Sequence, residues 1–327
     1  MGRGLTRMLG TAAAVAGVGS VFQVIAAERD RRVFPPPGRL IDVGGFRLHM
    51  DVTGSASGAP TVILEGGAGL GSVTWAWVQP QVAERTRVVA YDRAGVGWSD
   101  RGPEPRDGRQ IATELHAALE GAGIRSPYVL VGHSFGGVYV RIFADVYPDE
   151  VAGLVLVDPT HPDQMERSPR AAQSLRTTRQ LMRVLDGLSH FGLLRLANPA
   201  AMFMPGLPPQ QAAELRAYAA AGCAAAAGAE MAVVEKRTFP QARGARSLGG
   251  RPLVVLSAEQ TVAQDPLFLE LHQELAGLST RGTHRVVDGA SHAGMVFDAT
   301  QAQATVAGIN AVLDQTSDVA LSPSRTR

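Results

Sequence analysis

The sequence is short of several features, and each shortage removes a class of function. It holds a single cysteine, Cys223, so no disulfide can form within the chain and cysteine pairing says nothing about redox compartment. Lys236 is the only lysine, and arginine supplies nearly all the positive charge. The formal net charge is only +1, so the protein as a whole has no strong field to draw nucleic acid or an anionic surface. No internal repeat is present. The glycine-rich stretch Glu65-Gly-Gly-Ala-Gly-Leu-Gly71 is not followed by Gly-Lys-Ser/Thr, which rejects a phosphate loop. No dinucleotide fingerprint follows the first strand, and no His, Cys and carboxylate cluster has metal-ligand spacing. Neither a metal nor any other cofactor is expected, and nucleic acid is not an expected partner.

What remains is a chain of 327 residues, 45% hydrophobic and 19% charged, which suits a globular protein with a large buried core. Its start is different. Arg3 and Arg7 precede Met8 to Ala27, a run of 20 residues without a charge, followed by Glu28-Arg-Asp-Arg-Arg32. A helix of that length spans roughly 30 Å, the thickness of a bilayer core. Small residues at Val24 and Ala26 also suit a cleavable export signal. Residues 1–33 are therefore expected to be a signal peptide or an N-terminal membrane anchor. Export or membrane contact through this segment follows, with arginines on both sides leaving its orientation open.

Phe34-Pro-Pro-Pro-Gly38 reads as a stiff linker. Beyond it, short β-branched runs alternate with helical patterns. Leu40–Val43 and Phe46–Val52 flank Gly44-Gly45 as a hairpin. Strands are expected at Thr61–Leu64, Arg87–Tyr91, Tyr128–Val131, Gly153–Val157, Pro252–Leu256 and Arg285–Val287. Helices are expected at Val73–Glu84, Gln110–Gly121, Gly136–Tyr147, Pro266–Leu278 and around Thr300–Leu313. Buried strands alternating with helices predict an α/β protein with a mostly parallel sheet covered on both faces. The rhythm breaks between Asp158 and Arg251, where helical stretches rich in Ala, Leu and Met (Met182, Met202, Met204, Met231) replace strands. The chain then divides into a first core part at 34–158, an inserted helical cap at 159–250, a second core part at 251–316 and a polar, frayed tail at 317–327.

The chemistry concentrates in Val131-Gly-His-Ser-Phe-Gly136. A strand that must reverse into a helix within this space strains the backbone at Ser134, and only small neighbours leave room. The hydroxyl is pushed into the open at the strand's carboxyl end, above the first turn of a helix that favours negative charge. A serine so placed is a candidate nucleophile.

That elbow, with Tyr91-Asp-Arg-Ala-Gly-Val-Gly-Trp-Ser-Asp100 and Gly289-Ala-Ser-His-Ala293, resembles the α/β-hydrolase family over most of the chain, from about Gly38 to Leu313. The resemblance implies an α/β-hydrolase fold with an eight-stranded sheet, a nucleophile, acid and histidine in that chain order, and a cap over the site. Of eight histidines, His292 is the expected base, hanging in a small-residue loop beyond the last strand. The acid departs from the usual pattern. After Pro252–Leu256 the loop carries Thr261 where an Asp is usual, which leaves Asp158, after the preceding strand, as the first choice and Glu259 and Asp265 as alternatives. The resemblance gives the oxyanion donors as the backbone N–H groups of Phe135 and Gly67, with Glu65 standing where histidine is usual. His161 could line the pocket or cap a turn. A serine at the elbow also sets the chain apart from the epoxide hydrolases and haloalkane dehalogenases of this fold, which use a carboxylate there. The expected function is that of a serine hydrolase of the esterase type, cleaving a small-molecule ester through an acyl-enzyme. The cap's composition points to an apolar substrate. The alternative is a ligand-binding or signalling protein on the same fold. Nothing in the sequence fixes an oligomeric state.

Overall fold

The computed structural model describes residues 2–56, 58–197, 206–219 and 222–320. Helix α1 (Gly2–Val33) leads into strands β1 (Arg39–Asp42), β2 (Arg47–Thr53) and β3 (Thr61–Glu65). Then come α2 (Gln79–Ala83), β4 (Val88–Tyr91), α3 (Gly108–Gly121), β5 (Tyr128–His133), α4 (Gly136–Val146) and β6 (Val151–Val157). Between β6 and β7 lie only helices among the described residues: α5 (Gln164–Arg167), α6 (Pro169–Ser189), α7 (Leu194–Ala197), α8 (Pro209–Ala219), α9 (Cys223–Val233) and α10 (Phe239–Arg243). The chain closes with β7 (Leu253–Ala258), α11 (Glu259–Gln264), α12 (Leu267–Ala276), β8 (Gly282–Val287), α13 (Gly294–Phe297) and α14 (Ala302–Ala320).

The eight strands form one sheet in the order β1-β2-β4-β3-β5-β6-β7-β8. The β1–β2 and β2–β4 pairs are antiparallel, and every other pair is parallel. The mostly parallel sheet is the one the alternating pattern predicts, and its eight strands are the number the family resemblance implies. Successive residues of a strand face opposite sides, and the core divides accordingly. Ile63, Leu130 and Leu156 pack with Leu115, Ile142 and Leu275 on one face. Val62, Val131 and Val157 pack with Val82, Ile309 and Leu313 on the other. Covering both faces explains why the central strands read as continuous apolar runs.

Three local expectations need correction. The helix expected at Val73–Glu84 is a 3₁₀ turn at Ser72–Trp75 and then the short α2, with Pro80 in its first turn; proline there lacks the N–H that a continuous helix would need. The segment Ser257–Asp265 is not an open loop but the end of β7 followed by α11. The final helix runs on to Ala320, past the expected start of the frayed tail, and 321–327 lie outside the described residues. So do Met202 and Met204. Helix α1 spans the whole uncharged run. Among the described residues no single helix is long and apolar enough to cross a membrane, and the side chains of residues 1–16 lie outside that description.

The β5–α4 turn is crowded by backbone alone. A Cβ built on Gly132 would meet the Gly136 carbonyl oxygen at 2.5 Å, and one on Gly136 would meet the Glu65 carbonyl oxygen at 2.4 Å. Neither neighbour is a side chain that can swing away. Gly136→Ala is therefore expected to destabilise the fold by roughly 1–3 kcal/mol, read as a lower urea midpoint; an unchanged midpoint would contradict this crowding.

Candidate active site

Ser134 and Asp158 are the only non-glycine residues among those described with positive φ, at 56° and 42°. This conformation is disfavoured for side chains other than glycine, less so for Asp. Both residues sit immediately after adjacent parallel strands, β5 and β6, so both project from the sheet's carboxyl edge. Backbone bonds hold them there: Ser134 N–H donates to the Val157 carbonyl at 3.1 Å, and Asp158 N–H to the Leu256 carbonyl at 2.7 Å.

Asp158 is almost wholly buried, at 2% exposure, and both its oxygens are met by donors. Oδ1 accepts the Ala258 N–H at 2.9 Å. Oδ2 accepts the Thr261 hydroxyl at 2.6 Å and faces His292 Nδ1 at 2.6 Å. Burial pushes the carboxyl's pKa up, but the hydrogen bond and charge of His292 lead a set of contacts that outweigh it and hold the pKa at about 2. Thr261, in the position where the resemblance puts an acid, donates instead to Asp158 at the end of the neighbouring strand. The other two carboxylates are engaged elsewhere. Glu259 accepts the Gly289 N–H at 2.7 Å, and Asp265 accepts the Ser168 hydroxyl at 2.6 Å and the Leu267 N–H at 3.2 Å.

The His292 ring is 48% exposed, with Nδ1 committed to Asp158 and the residue lining the same cavity as Ser134. No direct hydrogen bond joins the Ser134 hydroxyl to the ring in this structure. His133 has a part that sequence reasoning missed. Its Nε2–H donates to the His292 backbone carbonyl at 3.0 Å, and the two rings lie 4.7 Å apart. Burial foremost, then the neighbouring His292 charge, pushes the His133 pKa down to about 3, so it stays neutral.

Gly67 lies against the same point. A Cβ built on it would stand 3.3 Å from Ser134 Cβ and 3.5 Å from His133 Nδ1, so glycine leaves the approach open. Among the described residues neither the Gly67 nor the Phe135 N–H donates to a backbone carbonyl. His161 does not belong to this group. It is absent from the cavity wall. Its Nδ1 accepts the Asp163 N–H at 3.1 Å and its backbone N–H donates to Gln164 Oε1 at 2.9 Å, so it closes a turn, the second of the two places the sequence allowed it. His272, not singled out from sequence, lines the cavity from α12, with Nε2 2.9 Å from the Pro159 carbonyl and Nδ1 2.6 Å from Ser257 Oγ. No cluster able to hold a metal occurs among the described residues.

The cavity encloses about 830 Å³. Its apolar wall includes Leu70 from the glycine loop, Met165, Leu175 and Met182 from α5 and α6, Met231 from α9 and Phe268 from α12. The helices between β6 and β7 thus form one side of the space above Ser134.

A family model described as the alpha/beta hydrolase fold matches residues 60–299. Among solved structures, a thermophilic esterase from Thermogutta terrifontis superposes with a TM-score of 0.64 at 22% identity, covering 85% of this chain and 98% of that one. An epoxide hydrolase from Bacillus megaterium gives 0.66 at 19% identity, covering 84% and 100%. At such identities these likenesses speak for the fold. A sequence relative from Hormonema carpetanum, named "Probable transporter efuK", is 36% identical over 141 residues, 40% of this chain and 20% of that protein. The chain spans less than half the length of several curated relatives it matches.

The buried His133 makes a prediction about acid stability. An unfolded imidazole takes up its proton near pH 6.5, whereas His133 in the fold does so only near 3. Between these values the unfolded chain binds more protons, so stability is complete above pH 6.5 and is lost as pH falls toward 3. His133→Gln is expected to make that slope shallower by up to about 1.4 kcal/mol per pH unit, measured by urea unfolding across the range; an unchanged slope would mean His133 does not remain neutral.

Proposed function

The chain belongs to the α/β hydrolase fold family, and from that premise we propose that it is a serine hydrolase acting on carboxylic esters. The observation that carries the reading is the Asp158–His292 contact of 2.6 Å, facing a cavity into which a strained turn carries Ser134. In this reading Ser134 is the nucleophile. Its hydroxyl is weak at neutral pH and needs a base. His292 takes the proton as Oγ bonds to the substrate carbonyl carbon. Asp158, ionised at any ordinary pH, holds the ring by Nδ1–H so that Nε2 is the accepting nitrogen, and it stabilises the imidazolium that forms. The Phe135 and Gly67 N–H groups receive the developing oxyanion. Collapse breaks the carbonyl carbon–alkoxy bond, and His292 returns its proton to the departing alcohol. Water, deprotonated by His292, then attacks the acyl-enzyme and restores Ser134.

The thioethers of Met165, Met182 and Met231, with Leu175 and Phe268, support a preference for an apolar acyl or alcohol portion, since such side chains adapt to irregular ligands. The helices between β6 and β7 are read as the cap over this site.

We further propose that α1 holds the protein at a membrane. Val21, Phe22, Val24 and Ile25 are half or more exposed, an unusual concentration for a surface that meets only water. Phe191 and Leu193 of the cap are exposed as well, and Gly192 lies close against the Phe22 ring, so the two apolar groups adjoin. The full-length chain is expected to float with phospholipid vesicles in a density gradient, and Val21→Ser with Phe22→Ser to reduce the floating fraction; retention of the double variant at the wild-type level would remove this assignment.

The catalytic reading is tested with a fluorophosphonate probe and p-nitrophenyl esters of graded chain length. Wild type is expected to be labelled and to hydrolyse the esters, and Ser134→Ala to do neither. Asp158→Asn should lower kcat by about 10³- to 10⁴-fold, with Glu259→Gln and Asp265→Asn near wild type. Absent labelling of wild type, or labelling that survives Ser134→Ala, would favour a ligand-binding protein instead.

A further inference from the structure

Arg93 follows β4 and is 1% exposed, among the most deeply buried large side chains in the protein. A guanidinium has five N–H donors in a rigid fork, and here all five are used. Nη1 donates to the Gly66 carbonyl at 2.9 Å and to Glu65. Nη2 donates to the Gly67 carbonyl at 2.7 Å and to Glu230 Oε2 at 3.1 Å. Nε donates to Glu230 Oε1 at 2.7 Å. Each carboxylate has a second donor, the Tyr91 hydroxyl for Glu65 and the Tyr139 hydroxyl, at 3.3 Å, for Glu230.

Two of these partners are consecutive peptide carbonyls in the glycine loop. In a planar trans peptide the C=O and the following N–H point in opposite directions. With the Gly66 carbonyl drawn to Arg93, the Gly67 N–H faces away from Arg93; the Gly67 carbonyl does the same for the Ala68 N–H. Gly67 and Ala68 line the cavity with Ser134. A loop of Gly-Gly-Ala-Gly sequence has little rotational preference of its own, so something must select this orientation. The fork of Arg93 holds both carbonyls, with the Leu70 N–H on the Gly67 carbonyl at 3.1 Å as well, and Glu65 supplies counter-charge that a neutral side chain at that position would not give to a buried cation. The third anchor comes from outside the sheet. Glu230 lies on α9, next to Met231 of the cavity wall, so the helix over the cavity and the loop beneath it share one guanidinium.

We propose that Arg93 is a positioning residue that aims the oxyanion-binding amides, and that Glu230 makes this aim depend on the seating of α9. The inference rests on the serine-hydrolase reading above. Arg93→Lys retains the charge but has three donors on a point-like head and cannot hold both carbonyls and both carboxylates. Active enzyme is counted by fluorophosphonate titration, and kcat is then expressed per titrated site, so that lost folding does not register as lost rate. Arg93→Lys is expected to lower kcat per site roughly tenfold to a hundredfold with KM for a p-nitrophenyl ester little changed, and to slow labelling of Ser134 in proportion. Glu230→Gln, which preserves shape and leaves Arg93 bonded to the loop, is expected to lower kcat per site by a smaller factor, about threefold to tenfold. Wild-type kcat per site in Arg93→Lys overturns the positioning role. If Arg93→Lys fails to fold, Glu230→Gln carries the test, and wild-type kcat per site in it overturns the proposal. Failure of wild type itself to label would instead remove the hydrolase reading, so the two failures are distinct.

Discussion

A carboxylate removed from water must be surrounded by donors, and at Asp158 the three donors come from two distant stretches of the chain, 258–261 and the loop holding His292. Ala258 gives an amide from the end of β7, Thr261 a hydroxyl from the helix that follows, and His292 a ring nitrogen from the loop beyond β8. They can meet because the parallel register of β6, β7 and β8 ends these segments at one edge. The site's geometry therefore depends on the satisfaction of one buried charge. The His292 loop has further anchors, at Gly289 to Glu259, Ala290 to Gln260, Ser291 to Gln301 and the His292 carbonyl to His133, but Asp158 is the carboxylate that meets the ring nitrogen itself.

Most of the architecture is legible from residue order. Apolar β-branched runs mark the central strands because both faces of the sheet are covered, and Gly44-Gly45 marks the hairpin because both residues adopt positive φ. The elbow is legible because its glycines answer a steric demand that any chain making this turn must meet. Sequence reasoning stops where structure depends on partners distant along the chain. Nothing local says that Thr261 donates to a carboxylate 103 residues earlier, or that the ring of His133 reaches the backbone of His292. The five-fold use of Arg93 is invisible for the same reason, since Glu230 lies 137 residues away. The motif around Asp92-Arg93 can be read as a family mark, but its physical task emerges only when Glu65 and Glu230 are seen beside it.

The residue at position 65 illustrates how a departure from a family pattern can be self-consistent. Replacing the usual histidine with a buried acid would be costly alone. Here it faces Arg93 and the Tyr91 hydroxyl, and the arginine in turn satisfies two loop carbonyls. Burial still pushes the Glu65 pKa up, yet the group is never without a partner. Networks of this type are stable as wholes and fragile in their parts.

The bond from His133 to the His292 carbonyl has a mechanical meaning. His133 is the residue immediately before Ser134, so the proposed nucleophile and the proposed base hang from the same stretch of β5, one covalently and one through a single hydrogen bond. The end of β5 thus reaches both groups, Ser134 through the chain and His292 through its carbonyl, while Asp158 at the end of β6 holds the ring from its other side. The proposed pair therefore shares one strand end, whereas the facing wall of the cavity is built from the helices between β6 and β7.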